Sequence, residues 1–141
     1  MFKILRLENS FNKREKLCSK KQIDYLFAKG ASKTEYPLKL IFLNNREASK
    51  VLTQAMFVVP KKKFKKSPDR NKLKRRMREA YRLQKKGLLE NLAAKNLNLS
   101  LAFLYISGNE EPYSVIYPAM TKLLYFLTAE KGIKTISEPK N

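Results

Sequence analysis

The sequence predicts an α+β domain: a single sheet of about four strands packed with three helices, in the order helix, strands, helix, strand, helix. Three observations carry this expectation. The chain has 141 residues, 43% of them hydrophobic, which suits one domain with one core that needs no metal or disulfide help. Three runs rich in β-branched, aromatic and leucine residues, YPLKLIFL (36–43), LTQAMFVV (52–59) and LNLSLAFLYI (97–106), read as strands. Between and around them lie stretches with helical spacing and helix punctuation.

Taken in order, residues 1–16 are polar, charged and weakly patterned, and are expected to form a mobile basic arm. The domain proper is expected over 17–131, with 132–141 as a C-terminal tail. Ser19 can cap a helix from Lys20 to Lys29, with Gly30 as its stop. Ile23, Leu26 and Phe27 share a face of that helix, and packing into the core is the plainer reading of Phe27. A short strand fits 31–34, ahead of the strand at 36–43. NNREASK is a polar hairpin-type connection to the strand at 52–59, which Pro60 ends. KKKFKK (61–66) is a charged loop. Ser67 as N-cap and Pro68 at the first helical position then start a helix that runs to Lys86 and ends near Gly87. LLENLAAKN adds a further turn or two. The run at 97–106 becomes continuously apolar, as a central strand does. SGNEEP is a turn. The last helix starts between Tyr113 and Pro118 and reaches Lys131, with Ile116, Met120, Leu123, Leu124 and Leu127 as core positions. Pro118 is expected in its first turn, where helix N–H groups lack partners anyway.

The charge bounds the function. Thirty-one Lys and Arg against 12 Asp and Glu give a formal +19. Self-repulsion of that size favours a polyanionic partner, nucleic acid first and an anionic membrane surface second. One cysteine, Cys18, and no histidine exclude an intrachain disulfide, a zinc site of several Cys or His ligands, and any nucleophile activated by histidine. No apolar run approaches the roughly 20 residues of a membrane span, and the N-terminus is charged too early for a signal peptide. A cytoplasmic protein is therefore expected. The acids are scattered, with only Glu110 and Glu111 adjacent, and nothing suggests a two-metal nuclease centre.

Residues 61–86 hold 14 Lys and Arg and two acids, a net +12. A charge run is most often a solvated face. Such a face usually alternates signs, and this one hardly does. Arg70, Lys72 and Lys74 also sit near the positive end of the helix dipole, an arrangement that an anion would relieve. At about 100° per residue, Leu73, Met77, Ala80, Tyr81 and Leu88 share an apolar face. Asn71, Lys74, Arg75, Arg78 and Arg82 share another that is left for RNA, and Lys72 and Arg76 lie on the remaining flank.

The segment VVPKKKFKKSPDRNKLKRRMREAYR (58–82) resembles the signature of the bacterial ribonuclease P protein family. The matching residues are Arg70, Asn71, Lys72, Lys74, Arg75, Arg78, Glu79, Ala80 and Tyr81. The resemblance extends from LCSKKQIDYLFAKG through LSLAFLYI to the last helix, over roughly 17–128. Lys72 stands where the family usually has a second Arg, and Ile23 where it often has Phe. The loop before Arg70 is about one residue longer than the common pattern, which leaves the match of Lys61, Lys62 and Lys63 open. The resemblance implies a fold like the second domain of ribosomal protein S5, with a left-handed βαβ crossover. It implies a protein subunit that assists a catalytic RNA in removing the 5′ leader of precursor tRNA, with Mg²⁺ at the RNA-based active site. No cofactor bound by the protein alone, no protein catalytic residue, no membrane and no stable protein partner are expected. Binding of the RNA subunit would fall to Arg70, Asn71, Lys72, Lys74, Arg75, Arg78 and Arg82. Binding of the precursor tRNA leader would fall to Phe27, Lys61, Lys62, Lys63, Lys65 and Lys66. The rivals are a ribosomal-type structural RNA-binding protein, a protein-only nuclease and a membrane-surface protein.

Overall fold

A computed structural model describes residues 11, 13–44 and 52–129. Three helices, α1 (Lys20–Lys29), α2 (Ser67–Lys95) and α3 (Tyr113–Thr128), pack on four strands, β1 (Ala31–Glu35), β2 (Leu38–Asn44), β3 (Thr53–Val58) and β4 (Leu99–Tyr105). The strand order is β1-β2-β4-β3. β1 and β2 form an antiparallel hairpin through Tyr36 and Pro37, whose peptide bond is cis. β4 pairs antiparallel with β2 and parallel with β3.

This order corrects one expectation. A hairpin-type connection at 44–50 would make β2 and β3 neighbours, and they are not, because β4 lies between them. Residues 45–50 of that connection lie outside the described residues. The physical reason is burial. β4 carries Leu99, Leu101, Phe103 and Tyr105 on one face and Ala102 on the other, all buried, and only a central position covers both faces.

The larger core lies on the face that α2 and α3 cover. There Leu38, Leu40 and Phe42 meet Leu73, Met77, Ala80, Tyr81, Leu88 and Leu92 of α2 and Ile116, Met120, Leu123, Leu124 and Leu127 of α3. Every residue assigned from helical spacing to the apolar faces of α2 and α3 is buried. The Tyr81 hydroxyl bonds Thr53 Oγ1 at 2.8 Å, and burial pushes the Tyr81 phenol well above its ordinary range. On the opposite face α1 inserts Leu26 against Ala102 and Leu17, with Ile23, Ile41, Leu43 and Met56 around them. Ser19 caps α1, accepting from Gln22 N. Gly30 is required by close approach: a Cβ there would meet Leu26 O at 2.5 Å and Ile41 Cγ2 at 2.8 Å.

Several boundaries differ from expectation. Lys66, not Ser67, is the N-cap of α2, and no side chain caps it. The helix does not stop near Gly87 but continues to Lys95. One interior glycine costs only about 1 kcal/mol, and burial of Leu88 and Leu92 outweighs it. The true stop is Asn96, in the left-handed region at φ 55°, with Leu97 N bonded back to Leu92 O. Pro118 falls in the second turn of α3, not the first. Ser114 and Pro118 both lie on the exposed side, where water can take the freed carbonyl. This helix stops at Thr128, short of the expected Lys131, with Ala129 as an extended C-cap, and the tail at 132–141 lies outside the described residues.

The basic arm needs a correction too. Residues 1–10 and 12 lie outside the described residues, but Phe11 and Lys13–Lys16 pack on the domain. Phe11 meets Phe57 and Tyr81 edge-on, with centroids 5.6 and 5.9 Å away. Glu15 forms a buried ion pair with Lys85, and Leu17 N donates to Ala55 O at 2.9 Å. Lys85 counts among the basic residues of α2, yet it lies one turn after Tyr81 on the buried side.

Two stability measurements follow from this packing. Gly87→Ala adds a Cβ that meets nothing within 4 Å, and should raise stability by about 1 kcal/mol in a thermal melt. Lys85→Met strips Glu15 of its buried partner and should cost about 3–5 kcal/mol. Lys85→Met with Glu15→Leu should recover much of that loss, since an apolar pair of similar size leaves no buried charge.

Candidate nucleic-acid interface

The parallel pairing of β3 with β4 requires a crossover, and α2 supplies it. Its N-terminal half therefore follows the loop that leaves the end of β3. In this loop Lys61, Lys62, Lys63, Lys65 and Lys66 are exposed, while Phe64 turns inward and meets the Tyr105 ring edge-on at 5.7 Å. Lys63 Nζ donates to Ile106 O, at the end of β4. Arg70 Nη1 reaches back to Phe64 O at 2.9 Å and Lys65 O at 3.0 Å. Arg70, expected to contact RNA, thus also clamps the lysine loop onto the start of α2.

The cations of α2 divide by partner. Asn71 and Arg75 are exposed, and Lys74, Arg78 and Arg82 are half-buried, their stems lying along the surface. Among the described residues no hydrogen bond or ion pair engages the side chains of Asn71, Lys74 or Arg75. Arg78 Nε is buried without a hydrogen-bond partner. Arg82 pairs with Glu79 at 2.6 Å, and this hydrogen bond holds the Glu79 carboxyl below its ordinary range. Lys72 and Arg76 lie on the flank toward the loop before α3 and share Glu110, at 2.9 and 3.4 Å. Lys72, expected among the RNA contacts, is therefore tied within the chain, although its side chain remains 47% exposed.

The expected leader residues separate into two places. The five lysines lie in the loop that leaves the end of β3, as expected. Phe27 is 45% exposed, which corrects its reading as core; its neighbour Leu26 fills that role. α1 crosses the second sheet face from Leu17, bonded to Ala55 of β3, to Gly30, seated against Ile41 and Phe42 of β2. Beyond it the same face continues with Val58, Leu104 and Lys39, adjacent in register and all half-exposed. Val58 leads through Val59 and Pro60 directly into the lysine loop. A partly apolar strip and a cluster of ammonium groups are thereby continuous. Tyr25 of α1 and Tyr36 of the β1–β2 turn, each 58% exposed, were not singled out from sequence, because their helical and turn positions carry no distinguishing pattern.

The Ribonuclease P family matches residues 11–104. The chain belongs to the ribonuclease P protein family. It is 30% identical over 113 residues to the ribonuclease P protein component of Porphyromonas gingivalis, covering 80% of this chain and 82% of that one. It is 36% identical over 111 residues to that of Chlorobium phaeobacteroides, covering 72% and 75%. The structure of the RNase P protein from Thermotoga maritima superposes with a TM-score of 0.61 at 21% identity, over 78% of this chain and 94% of that one. The Staphylococcus aureus RNase P protein gives 0.59 at 17% identity, over 79% and 94%. At these identities the two structures speak to the fold alone. The family match begins at residue 11 and so includes the docked turn at Lys13–Glu15. Among the described residues of this ribonuclease P protein, no helix is long and apolar enough to cross a membrane.

Proposed function

We propose that this chain is the protein subunit of a cytoplasmic ribonuclease P, assisting a catalytic RNA in cleaving the 5′ leader from precursor tRNA. The observation that carries the reading is the partition of α2. One face is buried in the core, and the adjacent face presents Asn71, Lys74 and Arg75 with no partner among the described residues. An amphipathic helix that binds a membrane would need its apolar face for lipid, and here the sheet has taken it. Arg suits bidentate contact with phosphate, and Asn adds a directed hydrogen bond.

In this reading the RNA subunit docks on α2 and carries the reacting phosphodiester. The Mg²⁺ ions belong to the RNA. The protein contributes position. The lysines at 61–63, 65 and 66 neutralise the leader backbone, and exposed Phe27 offers a ring on which a base can stack. Arg70 keeps the loop in register with the helix, so that leader and RNA subunit are held by one rigid element.

Reconstitution with an RNA subunit tests the whole reading. The protein alone, with Mg²⁺ and precursor tRNA, should release no leader, and adding it to the RNA should stimulate cleavage. Arg75→Glu should weaken RNA-subunit binding and lower its salt slope by about one unit, with little change in melting temperature, because the side chain is exposed. Arg75 suits this better than Arg78, whose half-buried guanidinium would make charge reversal costly to folding. Phe27→Ala should cost about 1–3 kcal/mol in holoenzyme affinity for precursor tRNA while leaving mature tRNA almost unaffected. A large fall in melting temperature with an unchanged precursor-to-mature ratio would instead assign Phe27 to packing.

A further inference from the structure

Lys72 and Arg76 occupy one flank of α2, four residues apart, and both meet Glu110. Lys72 Nζ donates to Glu110 Oε1 at 2.9 Å, Arg76 Nη2 lies 3.4 Å from the same oxygen, and Arg76 Nη1 donates to Glu111 O at 2.7 Å. Exposed ion pairs are usually loose and contribute little. This one is held by the loop that carries it. Asn109 N donates to Ser107 Oγ at 3.0 Å, and Ser107 Oγ lies 2.7 Å from the Tyr36 hydroxyl. Tyr36 in turn donates to Glu111 Oε1 at 3.3 Å. Glu111 N donates to the Tyr105 hydroxyl at 2.8 Å, and Tyr105 is fixed in the core. Ile106 N, at the root of the loop, donates to Pro37 O at 2.9 Å. The β1–β2 turn and the end of β4 therefore brace the segment from which Glu110 reaches the helix. Lys72 holds the Glu110 carboxyl below its ordinary range, so it stays ionised.

We propose that Glu110 is a specificity-determining residue. Its carboxylate stands in for a phosphate on the Lys72–Arg76 flank, confines RNA to the neighbouring Asn71–Lys74–Arg75 face, and lowers affinity for RNA other than the cognate subunit. The inference rests on the reading of α2 as the RNA-binding helix. Binding to unrelated RNA is a sum over neutralised phosphates, so two cations withdrawn from that sum weaken it directly. Cognate binding depends as well on directed contacts by the docked face, and loses less. The neighbouring flank would otherwise accept RNA in rotated, unproductive registers around α2.

The test compares binding to a uridine homopolymer and to the ribonuclease P RNA subunit over a series of salt concentrations. Glu110→Gln should bind the homopolymer about three- to tenfold more tightly, with a salt slope steeper by about one unit or more. Its affinity for the RNA subunit should change less, so the cognate-to-homopolymer ratio falls. Glu90→Gln makes the same charge change in the C-terminal half of α2 and should leave the ratio in place, because screening confines each charge to its surroundings. Adding Lys72→Gln and Arg76→Gln to Glu110→Gln should return the slope to its starting value. Unchanged homopolymer affinity and slope in Glu110→Gln, or an equal gain in Glu90→Gln, would overturn the proposal. Should Glu110→Gln unfold, Glu110→Asp decides the matter: its shorter carboxylate should steepen the slope part-way, and no change would count against the proposal. Loss of the functional reading looks different. In that case the unmodified protein fails to bind the RNA subunit, or Arg75→Glu binds it normally.

Discussion

The parallel alignment of β3 with β4 is the constraint on which the remaining architecture depends. β3 ends at Val58, level with Leu104, and β4 must begin level with Thr53. The chain therefore has to travel back along the whole sheet before it can pair. A helix does this with its own hydrogen bonds satisfied, and α2 gains core contacts along the way from Leu73 to Leu92. The lysine loop then has one possible place, at the sheet end where β3 finishes. The first turns of α2, with Arg70, Asn71 and Lys74, stand directly after it. The basic surface is thus an outcome of strand order as much as of composition.

Against so large a positive charge, the placement of the acids is informative. Glu15 neutralises the one α2 lysine that packing draws inward. Glu79 engages Arg82, one turn along the helix, and Glu110 engages Lys72 and Arg76. Glu15 and Glu110 answer cations away from the face that holds Lys74 and Arg75, and Glu79 takes up only Arg82, at the far end of that face. The positive field is thereby sharpened onto one side of the helix rather than spread around it, which favours a defined docking orientation over general attraction to polyanions.

The helices and strands were legible because each buries a face whose period shows in the residues. The spacing of Leu73, Met77, Ala80, Tyr81 and Leu88 named a face that is buried throughout, and the unbroken apolar run of β4 named a strand covered on both sides. Strand order was not legible, since local pattern says that a strand is buried but not between which neighbours. Gly87 misled because its intrinsic cost is small beside the packing of Leu88 and Leu92, which no local rule weighs. Lys85 and Glu15 are 70 residues apart, and their pairing needs the fold itself. Phe27 and Leu26 look alike in sequence, and only the crossing of α1 over the sheet decides which points inward. The family motif, in contrast, marked Arg70 without revealing that its guanidinium holds the preceding loop.

The turn at Lys13–Glu15 has a consequence for the unliganded protein. β3 is an outer strand, and an outer strand offers its free N–H and C=O groups to any other chain in extended form. Here Leu17 N takes the Ala55 carbonyl, Lys16 bridges to Ala55, and Gln54 Nε2 donates to Arg14 O, so the middle of that edge is already occupied. At the opposite border β1 is only five residues long and carries Lys33 and Glu35. One margin is covered and the other is short and charged, an arrangement that disfavours strand-by-strand growth of one copy upon another.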